Sequence, residues 1–159
     1  MKKKIETNFF CKSKHWSRRM NKIKKIVSHI LSFEDCGFNK NNSYFLNLIF
    51  VDDNRIKSIN QIYRKKNKPT DVLTFVTFLN NKKLNNEAYC DIFFSAEMIK
   101  KDAKKNLINF YDHLTHLIIH CFLHVNGYDH KIKSDFLKMK SLENKILNSL
   151  GIKDPYLYE

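Results

Sequence analysis

The 159-residue chain is short of acid: 16 Asp and Glu stand against 29 Lys and Arg, a formal net charge of +13 with histidine neutral. That deficit creates a field that concentrates polyanions near the surface and makes nucleic acid the natural candidate partner. Runs rich in Lys, Asn and Ile can also reflect a skewed codon supply with no partner behind it. Long apolar stretches are missing as well. None reaches the roughly 18 residues needed to cross a bilayer, so no membrane partner is expected. Cysteine is sparse and scattered: Cys11, Cys36, Cys90 and Cys121 form no CxxC pair. Without an apolar secretory leader, this pattern favours unbridged thiols in a reducing cytosol, and the expected location is cytoplasmic. The length suits one buried core and is short for two, so a single domain over 1–159 is expected. A hydrophobic content of 43% supports a globular protein.

His15 to Leu31 places Trp16, Met20, Ile23, Ile26, Val27, Ile30 and Leu31 at helical spacing, with Arg18, Arg19, Lys22, Lys24 and Lys25 opposite. This predicts an amphipathic helix with a basic outer face. A helix packed on a sheet needs that pattern, and so does a membrane-surface anchor or a targeting peptide. Tyr44 to Val51 is rich in β-formers and predicts a buried strand. Asn54 to Tyr63 carries Ile56, Ile59, Ile62 and Tyr63 at helical intervals, and Lys65 to Asp71 is a loop broken by Pro69. Val72 to Phe78 and Tyr89 to Phe94 predict two further strands, joined by the polar connection Asn80 to Glu87. A helix then starts at Ser95 and runs towards Leu107. Phe110 to Val125 is helical but apolar nearly all round, which predicts a helix inside the protein that stops at Asn126-Gly127. A last helix spans about Ser134 to Leu150. No internal repeat is present. The fold class is α/β (α+β): a central mixed sheet of about four strands covered by helices, with the informative residues on the buried helix of the C-terminal half.

Those residues are histidines, in His113 to His130, HLTHLIIHCFLHVNGYDH. His120 and His124 are one helical turn apart, so both imidazoles leave the same face and can share a cation. Gly127 lets the chain reverse, and His130 can swing back to supply a third nitrogen. Three neutral nitrogens leave tetrahedral zinc one open position, the mark of a catalytic rather than a structural site. One Zn2+ per chain is expected, although nickel, copper and iron also accept such ligands. His113 and His116 project from nearly the same stripe, either to orient the ligands or as alternative ligands. Asp129 is a further candidate for orienting an imidazole, and Tyr128 either stacks on a base or caps the core. Several buried histidines in one stripe would be costly without a common reason. The spacing His-x-x-x-His-x-x-Gly-x-x-His also occurs in a class of zinc metallopeptidases. Those enzymes need a glutamate directly after the first histidine, and here that place holds Cys121.

His120 to His130, HCFLHVNGYDH, resembles the signature of the YbeY family of bacterial ribosomal-RNA maturation factors. Asn60 to Phe75, NQIYRKKNKPTDVLTF, looks like that family's arginine-containing helix end, P-T-D-V-L turn and following strand. Tyr89 to Ser95, YCDIFFS, is similar to its G-D-I strand. The resemblance implies an α/β fold with a three-histidine metal site on His120, His124 and His130, and a functional arginine at Arg64. It also implies single-strand-specific endoribonuclease activity, used in small-subunit (16S) rRNA 3'-end maturation and ribosome quality control. The expected partners are single-stranded or ribosomal RNA and the ribosome or its proteins. Arg64 would neutralise charge on the phosphoryl group, and Lys65, Lys66 and Lys68 would hold flanking phosphates. Three positions depart from the family pattern. Cys121 and Cys90 stand where small residues are usual, and Val76 stands where a proline often follows the strand phenylalanine. Cys121 would crowd the helix or offer the metal a thiolate. A second class of function shares these features: a non-catalytic ribosome-associated RNA-binding factor with a structural metal.

Overall fold

The computed structural model describes residues 4–33, 36–79, 86–128 and 131–155. Among the described residues four strands form one sheet: β1 (Lys4–Cys11), β2 (Asn42–Val51), β3 (Val72–Leu79) and β4 (Asn86–Ser95). Their spatial order is β1-β2-β4-β3, with β1 and β4 parallel to β2 and β3 antiparallel to β4. The helices are α1 (Met20–Leu31), α2 (Asp53–Arg64), α3 (Ala96–Lys105), α4 (Phe110–Val125) and α5 (Lys133–Ser149). The mixed sheet and its helical cover agree with the expected class.

Strand β2 shows why the sheet sits inside. Tyr44, Leu46, Leu48 and Phe50 are all buried on one face, as the period of two in a strand requires. They pair in register with Ala88, Cys90, Ile92 and Phe94 of β4. The same face receives α1 through Ile23, Val27 and Ile30, and α4 through Leu114, Ile118 and Phe122. On the opposite face Val51, Ile56 and Leu73 form a smaller cluster, which holds α2 against the sheet. Asp52 starts α2 by accepting from the Arg55 N–H at 2.9 Å, the usual N-cap bond. Lys65 ends it with a left-handed backbone, φ +58°.

Two local readings differ from expectation. Strand β1 was not foreseen, and it supplies the fourth strand, at the edge beside β2. The predicted helix from His15 is shorter: a 3-10 turn occupies Ser17–Arg19 and the α-helix begins at Met20. Trp16 explains this. Its ring is fully buried beside Phe50, centroids 5.0 Å apart, and its Nε1 donates to the Val51 carbonyl at 2.9 Å, so it plugs the sheet from a turn. The other strands extend slightly beyond their predicted ends. The connection 80–85 lies outside the described residues, while Asn86 and Glu87 belong to β4.

Candidate metal centre

Helix α4 matches its predicted span, Phe110–Val125, and nine of its residues are buried. Asn109 caps it by accepting from the Tyr111 N–H at 2.9 Å. It ends at Asn126 and Gly127, whose φ of +87° is cheap only for glycine. His116, His120 and His124 form the half-buried stripe of this helix. The Nε2 atoms of His120 and His124 lie 3.0 Å apart. Tetrahedral zinc with Zn–N near 2.0–2.1 Å sets its ligand nitrogens about 3.4 Å apart, so this pair is close to the spacing of two ligands on one ion.

The orientation of His120 comes from α5. Glu143 is completely buried, and its carboxylate accepts from His120 Nδ1 at 2.5 Å and from His116 Nε2 at 2.9 Å. An ionised carboxylate only accepts, so Nδ1 of His120 carries the proton of this bond. In the neutral ring Nε2 then keeps its lone pair and faces His124. This carboxylate–imidazole arrangement orients many metal-binding histidines. His116, His120 and Glu143 also place donor atoms within 4.8 Å of one another and could hold an ion themselves. Their hydrogen bonds, however, already engage the Glu143 oxygens with the ring N–H groups. Glu143 was not singled out in the sequence, although a signal was there. Met139, Glu143, Ile146 and Leu147 form the buried stripe of α5, and a glutamate at a core position calls for a partner.

A cleft of about 860 Å³ opens beside these rings, and His120, Cys121 and His124 form one wall. Edge strand β3 contributes Val72, Thr74 and Val76, the loop before it Lys66, Lys68 and Asp71, and α2 its last residue, Arg64. The loop is tied down from inside the protein. Buried Asn60 donates its Nδ2 hydrogen to the Lys68 carbonyl at 2.8 Å, and the Ser95 N–H donates to the Asp71 carbonyl at 2.9 Å. Arg64 is exposed, donates to the Thr74 carbonyl at 3.4 Å and sits 5.6 Å from the Phe75 ring centroid. The fold thus brings Arg64, Lys66 and Lys68 to the same cleft as His120 and His124. Lys65, at the left-handed helix end, does not line it. His130 and Asp129 lie outside the described residues.

Cys121 follows His120 on helix α4. Its side chain is buried towards Thr74, and burial pushes its thiol up to about 12. Cys90 is held up to about 12 by burial, with Asp91 adding to the effect. Both thiols therefore pack as small apolar groups. Tyr128 is partly buried against the main core, which agrees with the capping role.

Comparison with known proteins adds to this geometry. The family model described as endoribonuclease YbeY matches residues 8–151. The chain belongs to the YbeY family. A relative named endoribonuclease YbeY from Rhizobium etli is 41% identical over 112 residues, covering 70% of this chain and 66% of that protein. The one from Bartonella henselae is 38% identical over 136 residues, covering 85% and 82% respectively. The one from Buchnera aphidicola is 37% identical over 108 residues, 68% of this chain and 70% of its own length. A solution structure from Thermotoga maritima aligns over 92% of this chain and 91% of its own, at 24% identity and a TM-score of 0.48. Among the described residues no helix is long and apolar enough to cross a membrane.

Proposed function

We propose that this protein is a metal-dependent, single-strand-specific endoribonuclease of the cytoplasm, acting in small-subunit rRNA 3'-end maturation and ribosome quality control. His120, His124 and His130 would hold one Zn2+ between them. The observation that carries this reading is the facing pair of Nε2 atoms 3.0 Å apart, backed by buried Glu143 and opening on a cleft that also bears Arg64. The all-imidazole donor set suits zinc, and the two rings already have nearly the spacing the ion needs. When bound, such an ion supplies Lewis-acid polarisation of a water or a phosphate oxygen.

The chain's own groups do the rest. Glu143 holds the His120 ring in one tautomer and one orientation. Arg64 presents a planar fork that pairs with two phosphoryl oxygens and stays protonated, so it offsets charge developing in the transition state. Its bond to the Thr74 carbonyl steadies the side chain beside β3. Lys66 and Lys68 attract flanking phosphates, an attraction that weakens as salt rises. The relatives' printed name and the net charge both support RNA as the substrate, and ribosomal RNA would be the working target.

The test is cleavage of single-stranded RNA by untagged, metal-replete protein from a nuclease-free preparation. Cleavage should vanish on chelation, return with zinc, and be lost in His124→Ala and Arg64→Ala. RNA binding without cleavage would instead favour a non-catalytic ribosome-associated factor. Casein-type proteolysis that survives competition by RNA would favour a peptidase.

A further inference from the structure

A second set of metal-type donors lies in the fold and shares no residue with the His120–His124 pair. Asp71 from the loop before β3, Asp102 from α3 and His113 from the first turn of α4 place ligand atoms within 4.8 Å of one another. All three residues are half-buried, and both aspartates line the cleft. Two features set this group apart from an ordinary polar cluster. Among the described residues, Nε2 of His113 is enclosed and meets no hydrogen-bond partner. Neither carboxylate forms an ion pair with a Lys or Arg there, in a chain carrying 29 of them. Two carboxylates so close repel each other, and a buried polar nitrogen without a partner is costly, so the arrangement lacks an internal counterweight.

We infer that Asp71, Asp102 and His113 form a second divalent-cation site in the wall of the cleft, for a hard to borderline cation such as Mn2+. The mixed carboxylate–imidazole donor set suits manganese better than a soft metal. Such an ion satisfies the His113 nitrogen and relieves the carboxylate repulsion together. One Asp71 oxygen is already engaged, Oδ1 accepting from the Val72 N–H at 2.7 Å and from the Thr70 hydroxyl at 3.2 Å, which fixes the carboxylate. Burial lowers the pKa of His113, and neighbouring His116 adds to this against the opposing pull of Asp71 and Asp102. The ring is thus a competent ligand at neutral pH. A cation here would also turn a locally acidic part of the cleft into one that accepts phosphate, in keeping with Arg64, Lys66 and Lys68 of the same cleft.

This inference concerns cation binding alone and is tested without RNA, so it stands or falls separately from the nuclease reading. Full-length protein loaded with one equivalent of zinc is titrated with Mn2+, and bound ion is read from loss of the free Mn2+ paramagnetic resonance signal. One Mn2+ per chain is expected. Asp102→Asn and His113→Gln should each weaken it about tenfold or more, while Glu6→Gln, exposed on strand β1, leaves it within about twofold. Pulsed resonance of the bound Mn2+ should show imidazole nitrogen coupling that disappears in His113→Gln, and circular dichroism would verify that each variant is folded. Failure of the wild-type protein to bind Mn2+, unchanged affinity in both cleft-wall variants, or loss of binding in Glu6→Gln would overturn the assignment.

Discussion

Glu143 is the residue whose replacement separates this account from a generic buried-histidine helix. Its side chain is fully buried and accepts from His116 and His120, whose side chains are 16% and 25% exposed. Glu143→Ala removes both acceptors at once. A buried donor left without a partner costs about 1–3 kcal/mol. Here water can reach both rings in part, and the variant no longer buries a charge, so the net loss of stability should be on the order of 2 kcal/mol. The effect on metal is larger in proportion: His120 loses the bond that fixes its tautomer, and affinity should fall about 10–100-fold. Glu143→Gln should fall between the two. Its amide has one acceptor oxygen, and if its NH2 group turns to His120 the Nδ1 there must accept, which moves the proton to Nε2 and removes that lone pair. Competition with a zinc chelator gives the affinities, and urea denaturation gives the stabilities. Zinc affinity within about twofold of wild type in Glu143→Ala would refute the orienting role.

Other expectations concern the surrounding structure. Arg64→Ala should lower kcat by about 10²–10³-fold with little change in stability, because the side chain is exposed and its bond to Thr74 is long. Arg64→Lys should recover only part of that loss, since an ammonium cannot form the bidentate pair. Exposed Cys11 should react with a thiol reagent well before Cys90 and Cys121, which should react only on unfolding. Those two buried thiols stay protonated to about 12 in the fold against an ordinary value of 9.0. Their contribution to stability is therefore complete below about pH 9 and declines as pH rises above it, measurable as a falling denaturation midpoint. Trp16→Ala should cost about 3–5 kcal/mol by the same denaturation assay, since it empties a buried ring site and strands the Val51 carbonyl.

The residues that announced themselves in the sequence were those whose spacing carries the chemistry locally. His120 and His124 sit one turn apart on a strongly patterned helix, so their shared face follows from helix geometry. Tyr44 to Val51 and Phe110 to Val125 were legible because burial imposes a strong apolar pattern on them. Strand β1 was not, because an edge strand buries little. Its Ile5, Thr7 and Phe9 alternate with exposed Lys4, Glu6 and Asn8, and the signal is diluted by charge. Trp16 has helical spacing to its neighbours yet serves the sheet from a turn, a tertiary demand that no local pattern reveals. Glu143, Asp71 and Asp102 meet histidines from distant parts of the chain, so only the packing of α5, α3 and the loop before β3 against α4 brings them together. Arg64 is intermediate: resemblance singled it out, and the tethered loop and β3 give it a place in the cleft.

X-ray absorption at the zinc edge of protein carrying one equivalent of zinc reads out the ligands of the ion themselves. Imidazole scattering from three nitrogens at about 2.0–2.1 Å is expected, with one fewer ring in His124→Ala and in His130→Ala. A sulfur shell at about 2.3 Å, or a coordination sphere unchanged in His124→Ala, would contradict the three-histidine site.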